Sequence, residues 1–230
     1  FHYSNNYGGV LQSIALYNTI QKLGYDVEII NYVPNNYDPN NIIKNLGIKK
    51  NVFKNFEIVL NLFSSFKKVK VMKQYSEKIT EEFDAFRSQK VNLSKRVDQS
   101  DIETILDNYS AIIVGSDQVW NPSQRKSPIY FLRFGDKYKG KKISYAADST
   151  IRDINDDEFE VLKKSLSDFD YISVRNDHSF DFVENVINKE VEIVADPTLL
   201  IDFNDMKNTN NIKEDYILTY VLGKEIEGSH

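Results

Sequence analysis

Ala111-Ile112-Ile113-Val114-Gly115-Ser116-Asp117-Gln118-Val119-Trp120-Asn121-Pro122 is the stretch on which the fold turns. Four apolar residues, three of them β-branched, run without alternation between polar Ser110 and a glycine, the pattern of a parallel strand buried on both faces. A burst of hydroxyl, carboxylate and amide groups follows. In an open parallel sheet, groups at a strand's carboxyl end are ligand positions.

The same pattern repeats outward from this stretch. Downstream lie apolar segments at 129–134 and 142–147, a helix marked by Phe159, Leu162 and Leu166, and a strand at 171–174. A helix with Phe180, Val183 and Ile187 comes next, then a strand at 191–195 that ends at Asp196-Pro197. Upstream, 102–106 predicts a short helix, 10–23 an amphipathic helix stopped by Gly24, and 27–32 a strand closed by Pro34. Residues 42–87 read as two helices joined by a loop, whose Lys67, Lys68, Lys70 and Lys73 form a solvated face. Alternating strands and helices predict an α/β class, a Rossmann-like, doubly wound, mostly parallel sheet. Because a helix opens the pattern, its first strand is expected upstream of Phe1. On this reading 1–203 is one domain, 204–215 a linker, 216–227 the first strand of a second domain, and 228–230 a tag scar.

Composition narrows the function. The 230 residues are 41% hydrophobic, 13% aromatic and 27% charged, with 9 Gly and 5 Pro, which suits a folded core and not a disordered or collagenous chain. A net charge of -5 offers no basic face for nucleic acid. Cys is absent, removing disulfides, thiolate catalysis and Cys-ligated zinc, and fits a reducing, cytoplasmic setting. His2, His178 and His230 show no zinc-ligand spacing, so no metal is expected. No apolar run approaches the roughly 18–20 residues of a membrane helix. A start at Phe1 in place of Met leaves a removed leader open.

Several positions carry candidate chemistry. Asp117 can accept a proton from a substrate hydroxyl and Trp120 can offer a flat surface to a sugar ring, with Ser116, Gln118 and Asn121 lining the same cleft. The other reading has Ser116 or Asp117 capping a helix and Trp120 in the core. Arg175 ends a strand and suits bidentate contact with a carboxylate or phosphate, or else joins Asn176, Asp177 and His178 in a polar turn. Asp148 closes a strand with less to distinguish it, and Asp196 before Pro197 reads as turn chemistry. Asn5-Asn6-Tyr7-Gly8-Gly9 leads into a helix whose free N–H groups attract anions, although it lacks the three-glycine dinucleotide fingerprint.

Six blocks, taken in order, resemble the polysaccharide pyruvyl transferase family: His2 to Gln12, Ile29-Ile30-Asn31-Tyr32, Gly115 to Pro122, Ile143-Ser144-Tyr145-Ala146-Ala147, Ile172-Ser173-Val174-Arg175, and Asp196-Pro197-Thr198-Leu199-Leu200. The resemblance implies transfer of a pyruvyl group from phosphoenolpyruvate to sugar hydroxyls of a cell-surface or exopolysaccharide glycan, with no other cofactor. It also implies a fold similar to the two-domain glycosyltransferase B type. Arg175 matches the arginine that grips phosphoenolpyruvate, while Asn6, Tyr7, Gly8 and Asp117 match positions facing the cleft and the acceptor. Family members continue into a full second domain, so the chain is expected to be inactive alone. The alternatives are a nucleotide-sugar glycosyltransferase of similar architecture, or a glycan-binding module with Trp120 and Tyr7 as sugar platforms. An edge left by an absent first strand favours a homo-oligomer.

Overall fold

Four parallel strands, β1 (Ala111–Val114), β2 (Lys141–Ala147), β3 (Tyr171–Val174) and β4 (Glu192–Ile193), lie side by side in that order. The structure is a computed structural model that describes residues 2–34, 77–121, 129–151 and 154–206. Ile113 stands opposite Ile143, Ser144 opposite Ile172, and Val174 opposite Ile193. Parallel neighbours need crossovers. Helix α3 (Asp156–Ser167) links β2 to β3, α4 (Asp177–Val186) links β3 to β4, and the two helices pack together. Before β1 come α1 (Tyr7–Lys22) and α2, a helix over 77–90. The α/β class expected from the sequence is present.

Three helices begin on the same device. Asn6, Asn155 and Asn176 sit in extended backbone, and each side-chain oxygen accepts from the N–H three residues on, at Gly9, Glu158 and Ser179. A side-chain oxygen there satisfies a donor that the helix leaves open. The main core lies around the sheet, with Trp120, Phe131, Phe169, Leu162, Leu166, Val174 and Val183 fully buried. The apolar segment 129–134 is a turn and not a strand: Leu132 takes φ 45°, and the Phe131 ring stacks on Trp120 with centroids 5.8 Å apart. A smaller cluster, Val10, Ile14, Tyr17 and Val91 with Phe83 and Phe86, joins α1 to α2.

The expected strand at 27–32 is shorter and lies apart from β1–β4. Residues 29–33 run extended beside 92–97, joined by parallel bridges Ile29–Leu93 and Tyr32–Val97. Ile29 N–H donates to Asn92 O at 2.9 Å, Val97 N–H to Asn31 O at 3.0 Å, and Val33 N–H to Val97 O at 3.0 Å. Odd-numbered residues of this segment therefore turn toward 92–97 and even ones away. On β1, Ser110 O accepts from Lys141 N–H at 2.8 Å, so even residues face β2 while Ala111 and Ile113 face away. Between the two ladders lies a cavity of about 780 Å3 lined by Ile30, Tyr32, Ile113 and Val114, and by Leu16 and Ile20 of α1. Among the described residues, no helix is long and apolar enough to cross a membrane. The expected second-domain strand at 216–227, the rest of the 204–215 linker after Met206, and the lysine cluster at 67–73 lie outside the described residues.

Candidate active site

The carboxyl ends of β1, β2 and β3 converge through tight backbone contacts. Gly115 has φ +116°, and a Cβ there would come within 2.2 Å of Tyr145 O, so only glycine lets the end of β1 approach β2 this closely. Beyond it, Asp117 bridges to Ala147 and its carbonyl accepts from Asp148 N–H at 3.0 Å. Asp117 (φ 72°) and Ala146 (φ 47°) both occupy left-handed backbone. Non-glycine residues in that region cost energy and gather where a site needs them.

Arg175 is the centre of this edge. Its Nη2 donates to Asp148 Oδ2 at 2.5 Å and lies 3.8 Å from Asp117 Oδ1, while its Nη1 donates to Asp196 Oδ2 at 3.3 Å. Asp148 is buried and doubly anchored, its Oδ1 accepting from Asn176 Nδ2 at 3.0 Å and from Ser179 Oγ at 2.9 Å. Burial alone would raise the Asp148 carboxyl, but Arg175, Asn176 and Ser179 outweigh it and hold it below the ordinary carboxylate value. Asp196 behaves alike: burial opposes ionisation, and Thr198 N–H, the Thr198 and Ser116 hydroxyls and Arg175 together hold its carboxyl down. Burial disfavours the Arg175 cation, yet Asp148, Asp196 and Asp117 keep it above its usual value.

The three carboxylates are not equivalent. Asp148 and Asp196 are each tied by hydrogen bonds to Arg175 and to neighbours, whereas the Asp117 side chain is 38% exposed and, among the described residues, accepts only from Gln118 N–H, at 2.9 Å. One guanidinium among three carboxylates leaves two negative charges in excess. Asp117 is thus the loosest member of a cluster whose other parts are fixed.

Not every residue singled out from the sequence lies at this edge. Trp120 is fully buried, donates from Nε1 to Tyr130 O at 2.9 Å and stacks on Phe131, so it is core and presents no surface to a sugar. Ser116 is buried too, its Oγ 3.0 Å from Asp196 Oδ2 and 3.1 Å from Ala146 O; it braces Asp196 and does not line an open cleft. Gln118 is exposed, and Asn121 Nδ2 donates to its carbonyl at 2.7 Å. Asn6 caps α1, and Tyr7 and Gly8 lie exposed in its first turn, inside the helix that the sequence pattern started at Val10.

Of four further contributors, the sequence reading ranks Asp148 and Asp196 below Arg175 and misses Gln12 and Arg87. Asp148 and Asp196 follow strand ends just as Arg175 does, and position alone could have ranked them with it. Gln12 Oε1 accepts from Ser116 N–H at 3.1 Å, tying α1 to the end of β1. Arg87, on α2, donates from Nη1 to His2 O at 2.8 Å and Ser4 O at 3.0 Å, and pairs through Nη2 with Asp84. His2 is buried with Nε2 3.4 Å from Asn31 Oδ1. Its pKa is lowered to about 3 by burial first, with Arg87 adding and the Asn31 bond opposing. His178 is exposed at the start of α4.

The chain is thus an α/β protein whose parallel sheet carries an arginine–carboxylate cluster at its carboxyl edge, the edge at which open α/β sheets hold ligands. The family model described as polysaccharide pyruvyl transferase matches residues 6–229, and the chain belongs to that family. No curated protein and no solved structure matches it.

Proposed function

We propose that the chain supplies the acceptor side and one arginine of a site that transfers a pyruvyl group from phosphoenolpyruvate to a sugar hydroxyl. The observation that carries this is the loosely held Asp117 beside an Arg175 fixed by Asp148 and Asp196. In the reaction the enol methylene takes a proton, a sugar hydroxyl attacks the cationic carbon, and that hydroxyl's proton must leave. A second hydroxyl then displaces phosphate to close a ketal. The donor's carboxylate takes the place of Asp117 against Arg175, since that contact is the longest of the three and is not a hydrogen bond. Asp117, released from its partner, is then the base that accepts the hydroxyl proton.

The cluster's excess negative charge means that Arg175 alone does not attract a dianionic donor. Further cationic groups are required, and the family resemblance assigns them to the second domain. The fold supports the reading in one more respect. The order 92–97, 29–33, cavity, β1, β2, β3, β4 supports a Rossmann-like sheet with the cavity at its central position, where one more parallel strand would join both ladders. We read such a sheet as similar to the N-terminal half of a glycosyltransferase B type fold.

The test is isothermal titration of phosphoenolpyruvate into the full-length parent and its Arg175→Ala variant, with UDP and GDP as comparison ligands. Binding of phosphoenolpyruvate that disappears with Arg175 is the expected result. A folded parent that binds UDP or GDP and ignores phosphoenolpyruvate would overturn the reading in favour of a nucleotide-sugar transferase.

A further inference from the structure

Of the three asparagines that open helices, one uses both ends of its amide. A cap needs only an acceptor, so Ser and Asp serve about as well as Asn at such a position. An amide adds a donor on the same planar group. At Asn6 and Asn155, both exposed, the amide nitrogen meets no partner among the described residues. Asn176 is half-buried: its Oδ1 accepts from Ser179 N–H at 2.9 Å while its Nδ2 donates to Asp148 Oδ1 at 3.0 Å. The fully buried Ser179 hydroxyl donates to the same oxygen at 2.9 Å and accepts from Ser149 N–H at 2.8 Å. One oxygen of Asp148 is thereby held from the start of α4 by two donors. The other, Oδ2, is turned to Arg175 Nη2 at 2.5 Å.

We infer that Asn176 is a positioning residue: acting through Asp148, it fixes the direction in which Arg175 presents its guanidinium to an anion. Arg175 has one firm partner and two looser ones. The Asp148 contact is short, and its carboxylate cannot turn because two donors hold the far oxygen. The contacts to Asp196, at 3.3 Å, and to Asp117, at 3.8 Å, are longer. An incoming carboxylate or phosphate displaces the long contacts, and the guanidinium meets it while still pinned to Asp148. Without the Asn176 donor, Asp148 Oδ1 keeps Ser179 alone, and the carboxylate can rotate about its Cβ–Cγ bond and take Arg175 with it. An aspartate at 176 would still cap α4, but it would set a second carboxylate against Oδ1 in place of a donor. That the anion is the pyruvyl donor rests on the pyruvyl-transfer reading; the hold on Arg175 does not.

The experiment compares Asn176→Ser, which keeps the cap and removes the donor, with Asn155→Ser, where only the cap is at stake; thermal unfolding confirms that both fold. Nitrogen-15 exchange NMR on the 230-residue chain at neutral pH, without ligand, reads the rotation of the Arg175 guanidinium about its Nε–Cζ bond. Rotation should be about fivefold faster in Asn176→Ser, in keeping with the loss of roughly one hydrogen bond, and unchanged in Asn155→Ser. In the full-length parent, Asn176→Ser should raise KM for phosphoenolpyruvate about tenfold with kcat within about twofold. Asn176→Asp should raise KM further. Equal rotation in the wild type and Asn176→Ser, or a KM that Asn155→Ser raises as much, overturns the positioning role. If rotation responds as expected and the parent neither binds nor uses phosphoenolpyruvate, Asn176 keeps its role and the transferase reading falls.

Discussion

At the strand ends Arg175 is surrounded by three carboxylates, whereas at the α1–α2 corner Arg87 is held by two backbone carbonyls and one carboxylate. The Arg175 side chain is 29% exposed and that of Arg87 5%. Carboxylate partners can be exchanged for those of a ligand, because a side chain can swing away. Carbonyl partners cannot, because releasing them moves the chain. One arginine is therefore placed to meet a ligand, and the other to keep a loop still.

The largest effect that would break this contrast is on activity. Arg175→Ala in the full-length parent should lower kcat/KM about a hundredfold to a thousandfold, as loss of a charge-stabilising donor does. If Arg87→Ala, at equal folded fraction, costs more activity than Arg175→Ala, the roles are reversed. Stability should rank the other way. Arg87→Ala strands two carbonyls and should cost about 3 kcal/mol in urea unfolding, more than the same change at the better-solvated Arg175.

Acid separates the two regions further. Folded His2 stays neutral to about pH 3 while the unfolded imidazole protonates near 6.5, so the unfolded state binds the proton first. The contribution of the corner is complete above pH 6.5 and drains as pH falls toward 3, a slope that His2→Gln should remove. Asp148 and Asp196 have folded values below their ordinary 3.8, so their contribution is complete above that pH and is lost only below it. Unfolding measured between pH 7 and 4.5 should thus report the corner and not the Asp148–Asp196 cluster. Unfolding that stays flat over this range would show that His2 is not held neutral. The smallest effect is local: Asn6→Ala should cost about 1 kcal/mol through the lost cap, read as a small shift in the thermal midpoint.

Periodicity exposed the strands β1 to β3 and the helices α3 and α4, because each buries one continuous apolar run or stripe against the same sheet. It misplaced the start of α1, since Tyr7, Gly8 and Gly9 carry no helical signal and only the Asn6 cap sets the boundary. It overstated β4, where only Glu192 and Ile193 pair with β3. At the site, strand-end position pointed to the edge where Arg175 meets Asp117, Asp148 and Asp196, but composition misled at Trp120. An aromatic among polar neighbours reads as a ligand surface, and here the turn at 129–134 folds over it. Arg87 was illegible, because its partners are carbonyls more than eighty residues away in the chain, and no spacing in the sequence encodes them.

The parity of β1 has a consequence in time. In deuterated buffer the amides of Ile112 and Val114, turned to β2, should exchange slowly, and those of Ala111 and Ile113, turned to the cavity, quickly. A strand entering the cavity would bond the second pair and erase the alternation. The edge is therefore its own isotope clock, reporting residue by residue whether the two ladders have become one sheet.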